Sequence, residues 1–125
     1  GKSILTGSGD ATAKLWDLSG NEMQIFSGHS QAVNVVAFSL DGELVLTGSS
    51  DNTSKLWDLS GNELQTFSGH SNVVSAVAFS PDGKTILTGS WDETAKLWIT
   101  PQAFLDQKVH KFTLQELYDA GTILD

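Results

Sequence analysis

Leu5-Thr-Gly-Ser-Gly-Asp10 returns as Leu46-Thr-Gly-Ser-Ser-Asp51 and again as Leu87-Thr-Gly-Ser-Trp-Asp92, a period of 41 residues both times. Lys14-Leu15-Trp16 keeps the same beat as Lys55-Leu56-Trp57 and Lys96-Leu97-Trp98, and Ser27-Gly28-His29-Ser30 recurs as Ser68-Gly69-His70-Ser71. Residues 5–45 and 46–86 share 28 identical positions. A shared fold alone does not hold polar positions such as Gln24 and Gln65 in step, whereas duplication or deliberate design does. The repeat is therefore the unit in which the fold is written.

Working outward through the complete copy, Val33 to Phe38 is a nearly continuous apolar run, the pattern of a strand covered on both faces. Leu40-Asp41-Gly42 is a turn, and its copy Pro81-Asp82-Gly83 is a stronger one. Leu44 to Thr47 is a second strand, Ser50-Asp51-Asn52 a turn, and Ser54 to Leu59 a third strand. Ser60-Gly61-Asn62 turns the chain into a fourth, Leu64 to Phe67. Four antiparallel strands per repeat match the blade of a β-propeller.

The expected fold is all-β, about two and a half blades: a partial blade over 1–27, a full repeat over 28–68 and a last repeat over 69–100. Gly1 aligns with Gly42 and Gly83, so the chain enters one strand into a blade and holds ten strands. Closed propellers need at least about four blades. An incomplete ring is expected, its open faces and edges completed by the missing blades of a longer parent chain or by copies assembling head to tail. In the tail, 101–125, Ala103 to Phe112 has the length of one outer strand. Thr113-Leu-Gln-Glu116 is a capping box, and Leu114, Leu117 and Tyr118 share a helix face, which predicts a short C-terminal helix over about 114–120. That helix covers a blade face or docks another domain.

Composition narrows the function. The 125 residues carry a net charge of −8, and all seven basic residues are lysines. An acidic chain without arginine argues against nucleic acid or an anionic membrane as partner. There is no cysteine, so disulfides, thiolate metal sites and cysteine nucleophiles are excluded. No apolar run reaches the length of a membrane span, and the expected location is the cytoplasm. No cofactor or metal site is expected: His29 and His70 fall in different repeats, and His110 stands alone as a surface residue.

Gly28-His29 precedes the first strand of the full copy and Trp57-Asp58 closes the third. His29 and Trp57 lie 28 residues apart, as do His70 and Trp98. Here the sequence resembles the WD40 repeat family, over residues 1–99. The resemblance implies a structural hydrogen-bond network in which Trp57 donates to Thr47, Thr47 to His29 and His29 to Asp51. His70, Thr88, Asp92 and Trp98 would repeat it. Thr6, Asp10 and Trp16 would be the remnant of an earlier copy whose histidine precedes residue 1.

The resemblance also implies a partner-binding open end of the propeller, where the matching slots hold Ala32, Asn34, Ser50, Val73, Ser75 and Trp91. None is charged, which suits a neutral or mildly polar partner. Trp91 stands where the other copies have Gly9 and Ser50; it reads either as an aromatic anchor or as packing against a neighbouring blade or the tail. A second departure is Ile99-Thr100-Pro101 after Trp98, in place of Asp-Leu-Ser.

The function implied is a non-catalytic protein–protein interaction scaffold or sensor, as in similar bacterial proteins with nearly identical repeats that couple blades to signalling domains. The alternative is a self-assembling unit that forms a ring from copies of itself. A hydrolase built on Thr, His and Asp is the third reading. It is disfavoured because a nucleophile must stand exposed beside an oxyanion hole, whereas these hydroxyls recur once per blade beside a packing tryptophan.

Overall fold

The computed structural model describes residues 2–100. They form ten strands: β1 (Ser3–Gly7), β2 (Thr12–Asp17), β3 (Glu22–Ser27), β4 (Val33–Phe38), β5 (Leu44–Ser49), β6 (Thr53–Asp58), β7 (Glu63–Ser68), β8 (Val74–Phe79), β9 (Thr85–Ser90) and β10 (Ala95–Ile99). These make three antiparallel sheets, β1-β2-β3, β4-β5-β6-β7 and β8-β9-β10, in which every ladder joins strands consecutive in sequence. The described residues do not close a ring. Among them no helix is long and apolar enough to cross a membrane. The strand expected over 103–112 and the helix expected over 114–120 lie outside the described residues.

Local chemistry fixes the hairpins. At the β6–β7 turn the Asp58 carboxylate accepts the backbone N–H groups of Ser60 and Asn62, both at 3.0 Å, and the Asn62 side-chain amide at 2.9 Å. Gly61 supplies the left-handed φ of 87° that the turn requires. Asp17 and Asn21 repeat this at the β2–β3 turn.

The sheets stack face to face, and the core lies between them. Leu15 and Phe26 of the first sheet meet Val45 and Trp57 of the second. Leu46, Leu56 and Phe67 on the second sheet's other face meet Ile86 and Trp98 of the third. Close approach is made possible by Gly48: a Cβ there would fall 2.7 Å from Val35 and 2.8 Å from Val74, the first residue of the neighbouring sheet's inner strand.

The inner strands are not covered on both faces as their apolar runs suggest. In β4 only Val33 is fully buried, and in β8 Ser75, Ala76 and Ala78 are exposed. Each inner strand is a sheet edge, and the third sheet has a neighbour on one face only among the described residues.

Candidate functional site

The β5–β6 turn places the first group of candidate residues. Ser49, fully buried, donates its hydroxyl to the Gln31 carbonyl at 3.0 Å and accepts the Asp51 N–H at 3.0 Å. Asn52 takes a left-handed φ of 74°. The Asp51 side chain is thereby turned back across the sheet. One of its oxygens accepts the Thr53 hydroxyl at 2.6 Å and the Thr53 N–H at 2.9 Å. The other meets His29 Nδ1 at 2.8 Å and the Ser30 N–H at 3.1 Å. His29 Nε2 lies 2.6 Å from the Thr47 hydroxyl oxygen, which also accepts the Trp57 indole N–H at 3.0 Å.

The third sheet repeats the arrangement. His70 Nδ1 to Asp92 is 2.8 Å, His70 Nε2 to Thr88 is 2.8 Å, and Trp98 Nε1 to Thr88 is 3.0 Å. In the first sheet the Trp16 indole donates to Thr6 at 2.9 Å, while Asp10 is occupied by Thr12.

Electrostatics set the protons. Burial raises the Asp51 carboxyl, but the hydrogen bonds from Thr53, His29 and the Ser30 backbone outweigh it and hold it at about 2. The Thr94 hydroxyl is the largest influence on Asp92 and, with His70, holds it far below the ordinary carboxylate range. Burial pushes His29 below 6.5, opposed by the nearby Asp51. An ionised Asp51 only accepts, so Nδ1 of a neutral His29 carries the hydrogen and Nε2 accepts from Thr47. The chain runs from indole to hydroxyl to imidazole to carboxylate, and no buried side-chain polar atom among the described residues is left without a partner.

Chemically this is a tie, not a reaction centre. The Thr47 and Thr88 hydroxyls are fully buried and already bonded, so neither can reach a substrate carbonyl. What the tie does is bind the loop before the inner strand to the turn after the next one. Among the described residues no three metal-ligating side chains cluster. His110 lies outside the described residues. Sequence reasoning missed Ser49, Thr53 and Ser54, whose hydroxyl donates to the Thr47 carbonyl at 2.7 Å. Ser49 and Thr53 did carry a signal, because Ser8 and Ser90, and Thr12 and Thr94, keep the same 41-residue step.

The second group of candidates gathers at the end of the sheets where β4 and β8 begin. Register slips between Val33 and Val35, and between Val74 and Ala76, leave Asn34 and Ser75 as the bulged residues. A bulge re-aims its side chain; both are exposed, and the Asn34 amide donates to the Ser50 hydroxyl at 2.9 Å. The Ser50 N–H donates to the Ala32 carbonyl at 2.9 Å and the Trp91 N–H to the Val73 carbonyl at 3.0 Å. The candidates thus form two adjoining groups, Ala32-Asn34-Ser50 and Val73-Ser75-Trp91. No hydrogen bond joins the two groups among the described residues. Trp91 is 66% exposed.

The opposite end holds two shallow clefts of about 250 and 270 Å³ on either side of Leu40. Of the groups that line them, Ser39 donates to Asp41 at 2.7 Å, and Asp82 accepts the Ser80 hydroxyl at 2.6 Å.

Three stacked antiparallel sheets, two with the complete tie and the first with its Trp–Thr bond alone, define a set of β-propeller blades. The model of the WD domain, G-beta repeat, matches residues 20–58 and 61–98, and the chain belongs to the WD40 repeat family. Each matched stretch runs from the outer strand of one sheet to the third strand of the next, so the family's repeat is staggered against the sheets. No curated protein matches the chain. WD40 repeats as a class serve protein–protein contacts and are generally non-catalytic scaffolds.

Proposed function

We propose that this chain is a non-catalytic interaction scaffold that holds a protein or peptide partner against the end of the sheets where β4 and β8 begin. The observation that carries the reading is Trp91, exposed over 66% of its surface at a turn pinned by the Val73 carbonyl. A rigidly mounted, solvent-facing indole supplies large contact area at low entropic cost, as anchors of protein interfaces do. Its neighbours Ser75, Asn34 and Ser50 are small and uncharged, which suits a neutral partner surface. The acidic balance and the lack of arginine favour a protein over nucleic acid or an anionic membrane, in a cytoplasmic setting. The test is capture of partners by the immobilised chain, compared with its Trp91→Ala variant. Loss of the captured protein with an unchanged melting temperature is expected. Undiminished capture by the variant would refute the assignment.

A second reading, self-association, is favoured by a separate observation. Leu87 and Leu97 are 48% and 70% exposed, whereas their copies Leu46 and Leu56, covered by the third sheet, are at 0% and 1%. Light scattering decides it: a species at twice or more the 13.4 kDa of one chain supports assembly, and a monomer refutes it.

A further inference from the structure

We propose that Asp41 is a site of spontaneous covalent modification, the conversion of its backbone link to isoaspartate through a succinimide, and that the Ser39 hydroxyl holds this reaction back while the β4–β5 hairpin is folded. The sequence has two Asp-Gly pairs, Asp41-Gly42 and Asp82-Gly83, at one position of the repeat. Glycine leaves the backbone nitrogen after an aspartate open to close approach, because no Cβ stands beside it. Glycine is also what these turns need, since Gly42 and Gly83 take left-handed φ of 74° and 72°. The residue that shapes the turn thus exposes the link before it.

The reaction balances with water alone. The Gly42 nitrogen bonds to the Asp41 Cγ and gives up its proton, a carboxyl oxygen departs as water, and a cyclic imide closes. Water then opens the ring at either carbonyl. One opening restores aspartate. The other leaves the main chain running through Cβ and Cγ, one atom longer, in the middle of a tight turn.

Crowding protects neither site. Both aspartates are exposed, and a Cβ on Gly42 or Gly83 would meet no atom within 4 Å. Protection comes from bonds on the two reacting groups. The Gly42 N–H donates to the Ser39 carbonyl at 2.9 Å, which ties the nucleophile. The Asp41 carboxylate accepts the Ser39 hydroxyl at 2.7 Å and the Glu43 N–H at 2.9 Å, so it is held to the residue beyond the nitrogen it would have to meet. Ser39 is itself fixed, buried and accepting the Leu44 N–H at 3.0 Å. Its hydroxyl is also the largest influence keeping the Asp41 carboxyl below its ordinary value. An ionised carboxylate has no hydroxyl to lose as water.

Asp82 carries the same guard. The Gly83 N–H donates to the Ser80 carbonyl at 2.9 Å, and Asp82 accepts the Ser80 hydroxyl at 2.6 Å and the Lys84 N–H at 2.9 Å. It has two further restraints. The Lys84 charge favours its ionised form, where the earlier copy has Glu43. The Thr100 hydroxyl donates to the Gly83 carbonyl at 3.2 Å, and the matching residue one repeat earlier, Leu59, has no hydroxyl. Asp41 is therefore the weaker of the two turns.

The test ages the full chain at neutral pH and maps isoaspartate by mass spectrometry, after digestion with a protease that cuts before aspartate but not before isoaspartate. Isoaspartate is expected at Asp41 ahead of Asp82. Both sites should react faster, and at similar rates, when the chain is held unfolded in guanidinium chloride. Ser39→Ala is expected to raise the rate at Asp41 about two- to tenfold, the worth of one hydrogen bond, and to leave Asp82 unchanged. Ser80→Ala should do the reverse, so each turn is the control for the other. Isoaspartate at Asp82 first, or at neither site, overturns the choice of Asp41. A rate at Asp41 that is equal in the folded and unfolded chain overturns the guard, and this comparison needs no substitution, so it decides the question whatever Ser39→Ala does to folding. A Ser39→Ala chain that reacts at Asp41 no faster than the parent, or faster at both sites alike, removes Ser39 from the role.

Discussion

In the second sheet Leu56 and Trp57 are both 1% exposed; in the third, the same two positions hold Leu97, 70% exposed, and a half-buried Trp98. The hydrogen bonds around them do not follow that divergence. Trp to Thr is 3.0 Å in both sheets, His to Asp is 2.8 Å in both, and His to Thr differs only between 2.6 and 2.8 Å. The contrast separates two kinds of information. The tie is written within one repeat and forms wherever that repeat is present. Burial is written between repeats and appears only where a neighbouring sheet exists to supply the other half of the core.

The largest effect expected from this division is at the leucines. Leu56→Ala should cost about 2 to 5 kcal/mol, because it opens a cavity in a sealed core. Leu97→Ala should cost less than about 0.5 kcal/mol, as for a surface change. Urea unfolding of the two variants measures the gap; equal costs would mean that Leu97 is covered in solution and would collapse the distinction.

A smaller effect is expected at the threonines, and there the two sheets should agree. Thr47→Val and Thr88→Val each strand an indole N–H and an imidazole nitrogen, a loss of about 1 to 3 kcal/mol. A ratio of the two losses far from unity would show that burial, rather than the bonds, sets the worth of the tie.

The smallest concerns acid. His29 has its folded-state pKa pushed below 6.5, so the unfolded chain binds more protons as pH falls through that value. The stabilising contribution is complete above 6.5 and declines below it, with a slope of at most about 1.4 kcal/mol per pH unit for one group. Asp51, held at about 2 against 3.8, adds a further loss as pH drops from 3.8 towards 2. Denaturation midpoints between pH 8 and 5 should fall for the parent chain and stay level for His29→Gln; parallel slopes would remove His29 as the source.

The legibility of the sequence divides along the same line. All ten strands were readable from the 41-residue step and the turn residues, because strand and hairpin are local decisions. The members of the tie, His29, Thr47, Asp51 and Trp57, were named through the resemblance to the WD40 family, which their recurrence in register had brought out. The bulges at Asn34 and Ser75 were not, because a single slipped residue leaves the apolar pattern of Val33 to Phe38 intact. The left-handed turn residues Ala11, Asn52 and Glu93, with φ of 76°, 74° and 70°, occupy one position of the repeat. Only the asparagine advertises that backbone; alanine and glutamate accept it because the surrounding bonds impose it. An open blade face was expected, but Leu87 and Leu97 were not singled out as lying on it, for the opposite reason: their sequence context is that of the buried copies.

The stacking of near-identical sheets has a consequence for how the chain finds its order. The face of the first sheet that carries Leu15 and Phe26 meets Val45, Trp57 and Phe38 of the second, and the third presents Ile86, Trp98 and Phe79 at the same positions. Side-chain chemistry alone hardly tells these two surfaces apart, so a first sheet docked directly on the third, with the second looped out, would rebuild the first interface while forfeiting the one made by Leu46, Leu56 and Phe67. Polymer statistics disfavour it further. The short link from Ser27 to Val33 becomes a loop from Ser27 to Val74, several doublings longer, at an entropic cost of about 2 kcal/mol. The sheets are kept in sequence by the shortness of the tether between them, and lengthening a link would loosen their order without touching a single core residue.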